Sequence, residues 1–247
     1  MNKINDGNFI GGEDLRSFLV IGQSNMAGRG ELSEVEPINN FRCYMLRNGR
    51  FIRMHEPLNV DRAIFDGKFR PGIGLAPSFA NEFASELKCR IGLIPCADGG
   101  TGISEWQPGE ILYDHAVFMA KLAMRTSSFS GFLWHQGETD ASLGLSSGEY
   151  REKLINLINS IRRELNAENL PFIMGEISEK IDPGFAPPEN ITIINGVMRE
   201  VAGELPFCSV ASAEGLALKS DGLHFDSPSL RELGKRYFKS YKAVRGL

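Results

Sequence analysis

Apolar residues recur along the chain in two alternating rhythms. Five short runs, SFLVIG (17–22), RIGLIPCA (90–97), GFLWHQ (131–136), PFIMGEIS (171–178) and PFCSVAS (206–212), are bounded by Gly, Pro or Ser. Runs this short predict strands buried on both faces. Between them the apolar positions return with a helical period. Within 147–166, Leu154, Leu157, Ile158, Ile161 and Leu165 line one stripe of a helix. Ser146 followed three residues later by Glu149 predicts a capping box at its start. Near the C-terminus, Ser227-Pro228 reads as N-cap then first helical residue, and Leu230, Leu233, Tyr237, Tyr241 and Val244 supply the stripe. The same period predicts helices over 74–88, 111–126 and 188–203. Strands alternating with helices predict a parallel sheet with helices on both sides and right-handed crossovers.

Residues 25–71 break the rhythm. There FRCYMLRNGRFIRM holds two strand-like runs around Asn48-Gly49, a hairpin signal, and Pro71-Gly72-Ile73-Gly74 closes the excursion. Such a loop either shapes a binding site on a rigid scaffold or merely decorates it. No linker, repeat or low-complexity tract interrupts residues 1–247, and one α/β domain can reach this size.

Composition narrows the classes. With 42% apolar and 23% charged residues, the chain is neither disordered, collagenous nor coiled-coil. The net charge of −4 and the lack of a basic stripe argue against a nucleic-acid partner. No segment approaches the roughly 18 uninterrupted apolar residues of a membrane span. The N-terminal MNKINDGNFIGGEDLRSFLVIGQ lacks a signal peptide's apolar core. The expectation is therefore a cytoplasmic protein without membrane contact. Cys43, Cys89, Cys96 and Cys208 are scattered and read as free, mostly buried thiols. His55, His115, His135 and His224 lie far apart, with no CxxC or HxxxH spacing, so no metal site is expected.

Four polar clusters carry the candidate chemistry. GQSNMAGRG (22–30) follows the first strand, so Ser24 sits at a strand's carboxyl end, where open α/β sheets bind ligands. Ser24 is either a nucleophile with backbone N–H groups around it or a helix N-cap. Gly28-Arg29-Gly30 matches neither a dinucleotide fingerprint nor a phosphate loop, so no cofactor is expected. CADGGTGISEW (96–106) follows another strand, and Gly99-Gly100 either lends N–H groups to an oxyanion or makes a plain turn. WHQGETD (134–140) offers the Gln136 amide and the Glu138 carboxylate, or else a polar loop capped by Asp140. DGLHFD (221–226) sets Asp221 three residues before His224, a spacing that lets a tight turn bring the carboxylate to Nδ1 and leaves Nε2 free to take a proton from a serine.

GQSNMAGRG, GGTGISEW, WHQGETD and DGLHFD, in that order and spanning nearly the whole chain, resemble the SGNH (GDSL-type) hydrolase superfamily. Within it they are similar to the carbohydrate esterase family 6 and sialate O-acetylesterase-like branch. The resemblance implies a three-layer α/β/α sandwich with a flavodoxin-like parallel sheet. It implies Ser24 as nucleophile, His224 as base and Asp221 as its orienting acid, with Glu138 matching a branch-specific carboxylate that competes for that role. It implies an oxyanion hole from the Ser24 N–H, the Gly100 N–H (or that of Gly99) and the Gln136 amide. The implied activity is release of acetate from an acetylated saccharide such as acetyl xylan or O-acetyl sialic acid, without metal or organic cofactor. Arg29 and Trp106 remain open between substrate contact and, respectively, an ion-paired and a core role.

Two other functions compete. A non-catalytic carbohydrate binder would have no use for Ser24 and His224 together. A glycosidase would pair Glu138 with Asp140 or Asp221 and need no serine.

Overall fold

The computed structural model describes residues 15–59 and 71–247. The apolar runs become seven strands: β1 (Leu15–Gly22), β2 (Cys43–Arg47), β3 (Arg50–Arg53), β4 (Arg90–Pro95), β5 (Ser128–His135), β6 (Phe172–Gly175) and β7 (Cys208–Ala211). They form one sheet in the order β3-β2-β4-β1-β5-β6-β7. All neighbours are parallel except β2 and β3. The expected parallel sheet is thus made mixed by the hairpin at its edge. The cause is local: Arg47 pairs with Arg50 across a two-residue turn, which can only return the chain antiparallel. Asn48 (φ 50°) and Gly49 (φ 76°) both take the positive φ that such a turn requires. Residues 60–70 of the excursion lie outside the described residues.

Among the described residues seven α-helices flank the strands: α1 (Ser24–Ala27), α2 (Ala76–Leu87), α3 (Ile111–Ala123), α4 (Glu138–Leu143), α5 (Ser147–Glu164), α6 (Pro188–Glu204) and α7 (Ser227–Arg245). The sheet separates two cores. Leu15, Leu19 and Ile21 of β1 pack toward α3, α5 and α6, whereas Phe18 and Val20 pack toward α2 and α7. Alternation along a strand makes both faces apolar, and helices cover both. Phe18 meets Phe79, Phe83 and Tyr241 edge-on at 5.1, 5.1 and 5.5 Å between ring centroids. The result is a mixed α/β sandwich with helices on both faces.

The capping box at α5 forms: Ser146 Oγ accepts the Glu149 N–H at 3.3 Å, and Glu149 Oε2 accepts the Ser146 N–H at 3.2 Å. At α7 the cap lies one residue earlier than the sequence suggests. Asp226 accepts the Ser229 N–H at 2.8 Å, and the Ser227 hydroxyl donates to the Glu31 carbonyl instead. The four cysteines are free; Cys43, Cys96 and Cys208 are buried and Cys89 is half-buried. Among the described residues no helix is long and apolar enough to cross a membrane.

Candidate active site

Parallel strands end on one edge of a sheet, and β1 lies between β4 and β5. The turns after these three strands therefore adjoin. The Gln23 N–H donates to the His135 carbonyl at 2.8 Å, and the Asp98 N–H donates to the Gly22 carbonyl at 2.9 Å. The turn carrying Ser24 is held on both sides by backbone. The segment after β7 folds back over the same edge, where a Leu218–Phe225 bridge and a Lys219 N–H to His224 carbonyl bond of 2.7 Å close the loop bearing Asp221 and His224.

Ser24 begins α1 and is preceded by Gln23 as cap, so its hydroxyl is not spent on capping. Its Oγ lies 3.0 Å from His224 Nε2. His224 Nδ1 lies 2.9 Å from Asp221 Oδ2, while Asp221 Oδ1 accepts the N–H groups of Leu223 and His224, each at 2.9 Å. A carboxylate facing Nδ1 assigns the proton to that nitrogen and leaves the Nε2 lone pair toward the serine. Partial burial pushes the Asp221 carboxyl up, but the two N–H groups and the His224 ring outweigh it and hold it below the usual carboxylate value. This geometry can move a proton from Ser24 to His224 and steady the imidazolium that results.

The other sequence candidates lie elsewhere. Glu138 does not reach His224. Fully buried at the start of α4, it accepts the Asn25 amide at 2.6 Å and faces His135 Nε2 at 3.5 Å. Burial pushes its carboxyl up, yet His135 and Asn25 more than offset this and keep it below its ordinary value. Gln136 is also fully buried. Its amide nitrogen donates to the Thr101 carbonyl at 3.1 Å and to Asp140 Oδ2, which engages both of its hydrogens. The expected oxyanion donor is thus committed to linking two turns. Asp140 in turn accepts the Ile103 N–H at 3.1 Å. Burial pushes the Asp140 carboxyl up to about 6, against the donors Gln136 and Ile103.

Of the two glycines, Gly99 approaches the serine: a Cβ there would stand 3.6 Å from Ser24 Cβ and would collide with the Arg29 guanidinium, while one at Gly100 would meet nothing. Arg29 is nearly buried beside them and donates to the Gly28 carbonyl at 2.9 Å. Trp106 is corrected to a core residue. It is 0% exposed, its ring meets Trp134 edge-on at 5.5 Å, and its Nε1 donates to Thr101 Oγ1 at 3.0 Å, so no face remains for a sugar.

Sequence reasoning passed over Asn25 and Lys219. Asn25 Oδ1 accepts the Phe225 N–H at 3.1 Å. Lys219 Nζ donates to the Arg29 carbonyl at 2.8 Å and to Glu31 at 2.7 Å, tying the His224 loop to the segment after α1. The one available signal was adjacency in the chain, Asn25 to Ser24 and Lys219 to the DGLHFD cluster. Beside His224 opens a cleft of about 600 Å³, bordered by Arg29, Gly30, Ser33, Gly72 and Lys219. Among the described residues no cluster of His, Cys, Asp and Glu side chains could hold a metal ion.

Comparison with known proteins points to carbohydrate esterases. The family profile described as carbohydrate esterase, sialic acid-specific acetylesterase, matches residues 14–243. A probable carbohydrate esterase of Arabidopsis thaliana is 32% identical over 245 residues, covering 91% of this chain and 89% of the relative. The X-ray structure of that Arabidopsis protein superimposes with a TM-score of 0.78 at 30% identity, over 92% of this chain and 98% of the other. A carbohydrate acetylesterase from Xanthomonas citri shares the fold, with a TM-score of 0.70 at 19% identity, over 94% of this chain and 57% of the other. A protein named NanS shares it as well, with a TM-score of 0.72 at 16% identity, over 94% of this chain and 97% of the other.

Proposed function

This chain belongs to the carbohydrate esterase, sialic acid-specific acetylesterase family and is an ester hydrolase, and from that premise we propose that it is a serine esterase removing O-acetyl groups from a saccharide through an acetyl-serine intermediate. The observation that carries the reading is the 3.0 Å contact between Ser24 Oγ and His224 Nε2, continued by the 2.9 Å contact from Nδ1 to Asp221. Serine alone is a weak nucleophile and needs such a base. His224 takes the hydroxyl proton as Ser24 Oγ bonds to the acetyl carbonyl carbon. The carbonyl oxygen becomes an oxyanion, held by backbone N–H groups of Ser24 and of the Gly99-Gly100 turn. The C–O bond to the sugar breaks, and the sugar oxygen leaves with the proton from His224. Water, deprotonated by the same imidazole, then attacks the acetyl-serine and releases acetate.

The superfamily reading is SGNH-type. It is supported by the central order β4-β1-β5-β6-β7, which numbered among those five strands is the 2-1-3-4-5 order of flavodoxin-like sheets. The cleft beside His224 is the room for the saccharide. A glycosidase built on Glu138 and Asp140 loses support because both carboxylates are buried and committed to Asn25, Gln136 and Ile103. The test is an acetate-release screen over acetylated xylan fragments, O-acetyl sialic acid and acetylated monosaccharides, with and without a serine-directed phosphonate. Phosphonate-sensitive release from at least one saccharide is expected. Release that the phosphonate leaves untouched would refute the serine route.

A further inference from the structure

Ser24 and His224 come from loops 200 residues apart, and their 3.0 Å contact must be held by something other than itself. The residue after each of them supplies a link. Asn25 Oδ1 accepts the Phe225 N–H at 3.1 Å, and Asn25 Nδ2 donates to Glu138 Oε1 at 2.6 Å. Asparagine alone among small side chains offers a donor and an acceptor in one rigid plane. Behind Glu138 lie two further buried polar side chains, His135 and Tyr237. The Tyr237 hydroxyl donates to the Trp134 carbonyl at 2.7 Å, so its oxygen faces His135 Nδ1 at 3.0 Å as an acceptor, and His135 Nε2 faces Glu138 Oε1. The His135 ring also meets Phe225 edge-on at 5.9 Å. Asn25, Glu138, His135 and Tyr237 are at most 1% exposed.

We propose that Glu138 is a positioning residue for the ester hydrolysis: by receiving the Asn25 amide N–H it locks that side chain in the orientation whose oxygen holds Phe225, and so sets the Ser24–His224 distance from one residue away on each loop. The inference rests on the roles just proposed for Ser24 and His224. Its physical content is directional. A flipped Asn25 would point its oxygen at the Glu138 carboxylate and its N–H groups at the Phe225 N–H, two repulsive pairs in a buried site. The carboxylate, placed at the start of α4, forbids the flip. Such a brace touches neither substrate nor reacting atoms. It acts on the alignment used in the attack, so its loss falls on kcat rather than KM.

The test swaps donor and acceptor. Asn25→Asp sets a second carboxylate against Glu138, and adding Glu138→Gln restores one N–H donor between the two positions with its direction reversed. A displacement of about 1 Å costs on the order of 10²-fold. Asn25→Asp is expected to lower kcat for acetate release by about that factor with KM within about threefold. Asn25→Asp/Glu138→Gln is expected to recover at least about tenfold of the loss, since it restores a charge-assisted hydrogen bond. Glu138→Gln alone keeps the shape, weakens the bond to a neutral one and lets either end of the amide face Asn25; kcat falls about tenfold. Circular dichroism and thermal unfolding accompany each variant. If Asn25→Asp does not fold, the double variant is compared with Glu138→Gln instead, and a kcat at or above that single variant supports the brace. A double variant no better than Asn25→Asp (or, in the fallback, well below Glu138→Gln), or a Glu138→Gln enzyme with wild-type kcat, overturns it. Ser24→Ala separates the two levels. If that variant still releases acetate, the serine reading fails; if it is inactive and the rescue fails, only the brace is wrong.

Discussion

Replacing Asp221 by asparagine changes one atom's chemistry and leaves the shape. Its Oδ1 is already engaged by the N–H groups of Leu223 and His224. The amide oxygen must stay on that side, because flipping would set the amide N–H groups against both donors. The amide nitrogen then faces His224 Nδ1, which has to accept, and the ring proton moves to Nε2, pointing at Ser24. A base holding its proton toward the nucleophile cannot take another. Restoring the right tautomer forfeits two hydrogen bonds of about 1 kcal/mol each, a factor of roughly 30. The imidazolium formed during attack also loses its counter-charge. Because the Asp221 side chain is 42% exposed, water screens that part, and it adds about another factor of 10. We expect kcat on an acetyl ester to fall about 10²–10³-fold, with KM within about twofold and an unchanged circular dichroism spectrum. The fall should exceed that of Glu138→Gln. A folded Asp221→Asn enzyme within about fivefold of wild type would refute this reasoning, and a larger loss in Glu138→Gln would hand the greater role to the buried carboxylate.

Trp106→Phe keeps most of the buried ring but removes the Nε1 bond to Thr101; unfolding free energy should drop by about 1–2 kcal/mol with KM unchanged, and a raised KM at unaltered stability would return Trp106 to the substrate. Ser24 is 5% exposed with Gly99 and Arg29 close by, which leaves room for a short acyl group; acetyl esters should turn over at least about tenfold faster than octanoyl esters of the same alcohol, and equal rates would contradict it. Asp140, pushed up to about 6 in the folded chain, binds its proton there before an unfolded carboxyl near about 3.9 does. Between those values the folded state holds more protons, so this group's contribution to stability declines as pH rises. The Tm advantage of wild type over Asp140→Asn should therefore be larger at pH 4.5 than at pH 7.5, and a constant or reversed difference would show that Asp140 titrates normally.

Local patterns carried much of the architecture. The five short apolar runs all became strands, the Asn48-Gly49 pair marked the one antiparallel return, and Ser146 with Glu149 marked the start of α5. Asp221 and His224 were legible as a pair because three residues in one turn decide their contact. What depends on strand order was not legible. Glu138 meets Asn25 across 113 residues of sequence because β5 happens to flank β1. Gln136 looked like a free donor because nothing in WHQGETD announces that Thr101, from the turn after β4, would claim its amide. Trp106 could serve either stacking or the core, with the core favoured, and it is Trp134 and Thr101, distant in sequence or around a turn, that enclose it. The α7 cap slipped by one residue because Asp226 and Ser227 are both good caps, and the Glu31 carbonyl drew the serine away.

The most direct test of the account is whether the acetyl group passes through Ser24. Wild-type enzyme is mixed with an excess of acetyl ester, quenched in acid within the first turnover, digested and weighed by mass spectrometry, beside steady-state acetate release by Ser24→Ala. The account predicts one acetyl mass on the peptide bearing Ser24, its loss on adding hydroxylamine, and a fall of at least about 10³-fold in the variant's turnover. Substantial acetate release by a folded Ser24→Ala chain, or an acetyl group found on another residue, would contradict it.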